Sequence, residues 1–177
     1  MITKKYKTLS REFKELYKAS FPENERLSYT FISKILQKKE STLIHYYEDS
    51  GEFIGFTLST TIDKFTCLAF FATNPVIRNQ GYGKRILEQY LKENTDKIVF
   101  LNCEIPNSND SSDIKYRRYS FYKRNGLTLT PLVMCYKNID YLTLVNKQAY
   151  SLIIDELNEM FISWNCSTRL DTKILSL

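Results

Sequence analysis

Apolar residues recur along this chain in two periods, and the changes of period mark its elements. Ile2 to Thr8 predicts a short first strand. Ser10 precedes an amphipathic run from Arg11 to Ala19, which reads as a helix capped by that serine. Phe21-Pro22-Glu23-Asn24-Glu25-Arg26 breaks the pattern, and a second helix is predicted over Ser28 to Lys38, with Phe31, Ile32, Ile35 and Leu36 on one face. Thr42 to Tyr47 and Phe53 to Ile62 read as strands joined by a tight turn at Asp49-Ser50-Gly51. Lys64 to Thr73 is a third strand, stopped by Asn74-Pro75. The next helix, Lys84 to Asn94, buries Ile86, Leu87, Tyr90 and Leu91. Lys97 to Ile105 is again a strand, closed by Pro106. The polar loop Asn107 to Ser112 leads into a helix from Asp113 to Arg124, which Asn125-Gly126 ends. Leu127 to Tyr136 reads as a strand interrupted at Pro131, Asp140 to Val145 as a further short strand, and Gln148 to Trp164 as a final amphipathic helix.

This order predicts an α/β fold, helices packed on a central mixed sheet, as one domain over residues 1–177. The core runs to about residue 138, and residues 139–177 form a C-terminal helical extension. A length of 177 residues with 43% hydrophobic and 25% charged positions suits a domain with a real core. No apolar run approaches the roughly 20 residues of a membrane span, so no membrane partner is expected. The N-terminus shows no signal region, and Cys67, Cys103, Cys135 and Cys166 show no paired spacing. These features point to the cytoplasm, to free or buried thiols and to no metal site. The net charge of +5 suits a polyanionic cofactor, whereas the basic pairs Lys38-Lys39, Arg117-Arg118 and Lys123-Arg124 read as solvated helix faces, so nucleic acid is not expected as a partner. The apolar face of the last helix offers a homodimer surface.

The chemistry concentrates at Arg78-Asn79-Gln80-Gly81-Tyr82-Gly83, between the strand ending at Thr73 and the helix that follows. Two glycines let backbone N–H groups approach a phosphate closely, and the first helical turn adds unpaired N–H groups and the positive end of the helix dipole. A dinucleotide fingerprint would need a third glycine where Ile86 stands. A Walker loop would need glycine at Arg78 and serine or threonine at Arg85. What remains is Arg/Gln-x-x-Gly-x-Gly.

That motif resembles the acyl-coenzyme A signature of the GNAT N-acetyltransferase superfamily. Phe121-Tyr122-Lys123-Arg124-Asn125-Gly126-Leu127 is similar to the second GNAT signature, and the lead-in Ala72-Thr73-Asn74-Pro75 also looks like the family. The resemblance covers about Thr42 to Tyr136. It implies a GNAT-like fold and transfer of an acetyl group from acetyl-CoA, with coenzyme A as product, to a primary amine of a small molecule or peptide. The alternative is a non-catalytic acyl-CoA-binding sensor or interaction module. The resemblance further implies that Arg78, Asn79, Gln80, Gly81, Tyr82, Gly83 and Lys84 hold the cofactor diphosphate and that the backbone at Ala72 or Thr73 holds the thioester carbonyl.

The same resemblance makes Tyr122 the general acid for the departing thiolate, although among 13 tyrosines a core role competes. Glu104 is the candidate base, on the strand face shared with Phe100 and Asn102. His45, the sole histidine, reads as a packed or surface residue, so no Ser-His-Asp machinery is expected. The chain departs from the second signature at Lys115, where the family often has asparagine, and at Arg118, where it has a small residue. Arg118 is placed to pair with Glu104 or to reach the cofactor. The family's acceptor site implies a role for the Phe21 to Arg26 connector, where Glu23 and Glu25 attract an ammonium and Phe21 and Tyr29 form a wall.

Overall fold

The computed structural model describes residues 1–147 and 167–176, and the chain divides into two compact units, Met1–Thr95 and Asp96–Leu177. The predicted helix Gln148 to Trp164 lies outside the described residues. No described helix is long and apolar enough to cross a membrane.

In the first unit, strand β1 (Ile2–Tyr6) is followed by helices α1 (Arg11–Ser20) and α2 (Tyr29–Leu36) and then by strands β2 (Ser41–Tyr47), β3 (Phe53–Ile62) and β4 (Phe65–Thr73). A single 3-10 turn, Pro75–Ile77, leads to helix α3 (Tyr82–Glu93). The strands pair antiparallel in the order β1-β2-β3-β4. Both early helices begin where a serine can accept a hydrogen bond from the first turn: Ser10 Oγ accepts from Phe13 N at 3.1 Å, and Ser28 Oγ from Phe31 N at 3.1 Å. Phe13, Leu16 and Tyr17 of α1 and Ile32 and Leu36 of α2 bury against Leu43, Phe56, Leu58, Phe70 and Ala72. Phe31, predicted to share that face, is 37% exposed.

The register carries a bulge at Ile54. Tyr46 pairs with Gly55 and Tyr47 with Phe53, so Ile54 is an extra residue on β3. Without it, period two would put Ile54 on the Phe56 face. The bulge turns it into a second cluster with Ile44, Tyr46, Ile77 and Ile86, beneath α3.

The second unit contains β5 (Ile98–Glu104), α4 (Ile114–Arg124), β6 (Thr128–Tyr136), β7 (Ile139–Val145), β8 (Ser167–Leu170) and a 3-10 turn, Thr172–Ser176. Its strands pair antiparallel in the order β5-β7-β6-β8. Asn146 closes the β5 end, its N–H donating to Val99 O at 3.0 Å and its Oδ1 accepting from Val99 N at 2.9 Å. At the far side Arg169 of β8 holds Asp140 bidentately at 2.8 and 2.7 Å. As expected from the sequence, the β6 ladder is irregular around Pro131, between Leu129 and Val133.

His45 is fully buried on the α1 side of the first sheet. Its ring lies 4.2 Å from that of Tyr6 and 5.1 Å from that of Phe53, and it stacks against Phe13. Nδ1 meets Tyr47 Oη at 3.2 Å, and that hydroxyl meets Tyr6 Oη at 3.0 Å, whereas Nε2 has no hydrogen-bond partner among the described residues. Burial pushes the imidazole down to about 4, only partly opposed by Glu12. The folded state therefore binds this proton less readily than the unfolded chain, and the contribution to stability, complete above about pH 6.5, is lost as the pH falls toward 4. Urea unfolding should weaken by on the order of 1–3 kcal/mol across that window. The pH dependence should be flatter in His45→Gln, and equal slopes for the two proteins would refute the assignment.

Candidate functional site

The loop from Asn74 to Lys84 is fixed at both ends. Asn74 N donates to Ile54 O at 2.9 Å, its Nδ2 donates to Phe53 O at 3.3 Å, and its Oδ1 accepts from Val76 N at 3.1 Å. One residue thus ties the strand end to the bulge and starts the 3-10 turn. Ile77 anchors the far side of that turn in the cluster under α3, leaving Val76 81% exposed.

Beyond it the backbone turns left-handed twice, at Asn79 (φ 64°) and Gly81 (φ 82°). Asparagine is among the side chains that tolerate this region, and glycine adopts it freely. Gly81 is the N-cap residue of α3 and has no side chain to fold back over the first turn. The N–H groups of Tyr82, Gly83 and Lys84 therefore open the helix without a side-chain cap. Arg78, Asn79, Gln80, Gly81 and Lys84 are exposed, and Tyr82 and Gly83 are partly so. Arg85 turns back to Glu48 at 3.2 Å and lies over the Tyr82 ring at 5.2 Å, while Lys84 is 3.7 Å from Glu88. All seven residues expected to bind the diphosphate fall in this one loop and helix start. Ala72 and Thr73 lie at the end of β4, on the strand that feeds it.

Behind that strand end stands Gly55. A Cβ there would collide with the Ala72 carbonyl oxygen and would lie 3.2 Å from Thr73 Cα and 3.3 Å from Ile86 Cδ1. Gly55 is what lets β3, the end of β4 and α3 approach this closely. Sequence reading passed over it, although a glycine inside a strand is the usual sign of such an approach.

In the second unit, the residues proposed for proton transfer gather where α4 lies against β5. The Glu104 carboxylate accepts from Arg118 Nη1 and lies 3.6 Å from Lys115 Nζ. Its side chain is 15% exposed, those of its two partners 31% each. The pairing of Arg118 with Glu104 was expected from the sequence, whereas the second cation, Lys115, was not. Tyr122 is buried, and burial raises its pKa, with the neighbouring Cys103 adding to the rise and the Arg118 charge lowering it. Burial also pushes the Cys103 thiol up to about 12, so it stays protonated and is no nucleophile at neutral pH. On β5, Asn102 donates to Thr143 Oγ1 at 2.8 Å, fixing the residue next along the Glu104 face. Among the described residues no group of three or more His, Cys, Asp or Glu side chains could hold a metal ion.

The model of the acetyltransferase (GNAT) family matches residues 7–126, about two thirds of the chain, and the chain belongs to that family. No curated protein matches it by sequence. Among solved structures, a GNAT-family acetyltransferase from Bacteroides thetaiotaomicron is 25% identical, over 81% of this chain and 84% of its own, with a TM-score of 0.70. An aminoglycoside 6'-N-acetyltransferase complexed with coenzyme A is 13% identical over 82% and 96% (TM-score 0.62), and a spermidine N-acetyltransferase variant from Vibrio cholerae 10% identical over 88% and 99% (TM-score 0.63). The last two share the fold. Family membership makes the chain an acyltransferase with acetyl-CoA as cosubstrate.

Two glycine substitutions separate the packing of the loop from its turn. Gly55→Ala should cost about 1–3 kcal/mol, because backbone must move to admit the methyl group. Gly81→Ala has open space around it and meets only the left-handed penalty, about 1 kcal/mol. Thermal denaturation of both variants checks the order; a Gly55→Ala protein as stable as the parent would show that the approach is not needed.

Proposed function

We propose that this enzyme moves the acetyl group of acetyl-CoA directly to a primary amine of its acceptor, with no acyl-enzyme stage. The observation that carries this is the left-handed, uncapped start of α3, a set of unpaired backbone donors at the positive end of a helix dipole. Arg78 to Lys84 hold the diphosphate there. The backbone at Ala72 and Thr73 steadies the thioester carbonyl oxygen, where negative charge builds as the amine attacks.

Tyr122 is assigned as the general acid. As the N–C bond forms and the C–S bond breaks, its hydroxyl gives a proton to the sulfur, releasing coenzyme A as a thiol. Burial keeps that proton on the oxygen at neutral pH, and the Arg118 charge eases its release. Glu104 is assigned the amine's proton. The proton passes through a water to Oε1, the oxygen 3.6 Å from Lys115 Nζ, while Oε2 stays with Arg118. Arg118 is then a positioning residue, orienting Glu104 and tuning Tyr122.

Saturating acetyl-CoA should raise the melting temperature by several degrees, since ligand at about 100 times its dissociation constant adds roughly 2.7 kcal/mol. ATP and NAD should not. No shift would remove the cofactor assignment of the α3 loop.

Tyr122→Phe and Glu104→Gln should each keep acetyl-CoA binding and lower kcat by about 10²-fold or more. Arg118→Ala should lower kcat without weakening acetyl-CoA and should shift the alkaline limb of the pH–rate profile upward, as Tyr122 loses its lowering charge; Arg118→Lys should recover part of both. An Arg118→Ala enzyme with parental kcat and pH profile would remove its role.

A further inference from the structure

Tyr82 stands between two glycines at the start of α3. Gly81 gives the first turn no side-chain cap, and Gly81 and Gly83 leave the backbone on both sides of Tyr82 with wide conformational freedom. The N–H of Tyr82 is one of the donors assigned to the cofactor diphosphate. Its direction therefore has to be set through the tyrosine side chain.

Two contacts set it. The Tyr82 ring packs against the cluster of Ile44, Tyr46, Ile54, Ile77 and Ile86. Its hydroxyl is held by the Glu48 carboxylate, and that hydrogen bond raises the pKa of the phenol. Glu48 also accepts from Arg85 Nη1 at 3.2 Å, and the Arg85 guanidinium lies 5.2 Å from the centre of the Tyr82 ring. Tyr82 and Arg85 are three positions apart and share one helix face. A single carboxylate from outside the helix thus meets both side chains at the opening of that face. Glu48 is itself fixed. It follows β2 directly, its N–H donates to Glu52 O at 2.9 Å, and its carbonyl accepts from Gly51 N at 2.9 Å.

The charges fit the same role. An acid beside the start of α3 is attracted by the positive end of the helix dipole, but it repels a diphosphate arriving at that end. Arg85 cancels this charge, so the group of three is neutral as a whole. Stability does not account for it. The Glu48 side chain is 23% exposed and that of Arg85 49%, and ion pairs so open to solvent add little. What the group changes is order: donors that are already aimed lose less freedom when the ligand arrives.

We propose that Glu48, in the turn between β2 and β3, is a positioning residue for acetyl-CoA, aiming the open N–H groups of α3 at the diphosphate through Tyr82 and Arg85. This rests on the cofactor reading of the loop and adds to it a residue from outside the loop.

The test is direct binding of acetyl-CoA, measured by titration, so no acceptor is required. Glu48→Ala/Arg85→Ala keeps the net charge and removes the brace. Its Kd should rise about three- to tenfold, with the melting temperature of the unliganded protein within a few degrees of the parent. Arg85→Ala alone leaves the Glu48 charge facing the diphosphate. It should bind more weakly than the double variant at low salt, and the two should converge at high salt. Tyr82→Phe, which keeps the ring, should weaken binding in the parent and have no further effect in the double variant, since the hydroxyl acts through Glu48. A double variant with the parental Kd, or one that Tyr82→Phe weakens further, would overturn the proposal. If the double variant does not fold, Tyr82→Phe in the parent decides, and an unchanged Kd there overturns it as well. Failure of the cofactor reading looks different: the parent protein itself would not bind acetyl-CoA.

Discussion

A helix that must start without a side-chain cap is the constraint around which the first unit is arranged. A serine, as at Ser10 and Ser28, satisfies a first-turn N–H and steadies the helix by about 1 kcal/mol. Gly81 forgoes this and keeps the N–H groups of α3 open. The helix has to be held by packing instead, and it is: Ile86, Leu87 and Tyr90 are at most 1% exposed. Ile86 has somewhere to pack only because the bulge sends Ile54 to its side of the sheet and Ile77 follows. The same bulge residue offers the carbonyl that receives Asn74 N–H, so the packing of the helix and the position of the loop have one cause.

The second unit meets a related problem with charge. A half-buried carboxylate is costly alone, and Glu104 has two cations against it. Arg118 sits in the middle of this arrangement: it pairs with Glu104 and acts electrostatically on both Tyr122 and Cys103. Replacing the small residue usual in the family by arginine therefore changes more than one bond. It holds the Glu104 carboxylate and lowers the Tyr122 pKa from the same guanidinium.

How much of this could be read in the sequence depended on how local its cause was. Strands β2 to β5 and helices α1, α2 and α4 were legible to within a residue or two, because caps, prolines and periodicity are local signals. The start of α3 was expected at Lys84 and lies at Tyr82, since the turn before it is set by the left-handed Gly81. Strand β8 was missed: Ser167–Leu170 is short and mostly exposed, without alternation, and is a strand only because Leu132–Cys135 is there to pair with it. Period two alone would put Ile54 on the face opposite the one it packs on, as it does for any bulge residue. The glycine turn before α3 was legible as six consecutive residues, whereas its support at Gly55 required tertiary contacts. His45 was left as packed or surface because its aromatic surroundings come from α1, β1, β2 and β3 together.

The charge of α4 is separable from the fold in a way that these other features are not. The helix buries Tyr119 and Tyr122, and its N-terminus is capped by Asp113. Neither task requires five cations, and neighbouring like charges along a helix oppose its formation by a few tenths of a kcal/mol per pair. Every other part of the chain together is electrically balanced, so these five residues supply the whole net charge, which itself favours solubility. Two of the five are accounted for by Glu104. The remaining three, Arg117, Lys123 and Arg124, are exposed and form no ion pair among the described residues. Lys123 and Arg124 in the last turn suit the negative end of the helix dipole, whereas Arg117 lies nearer its positive end.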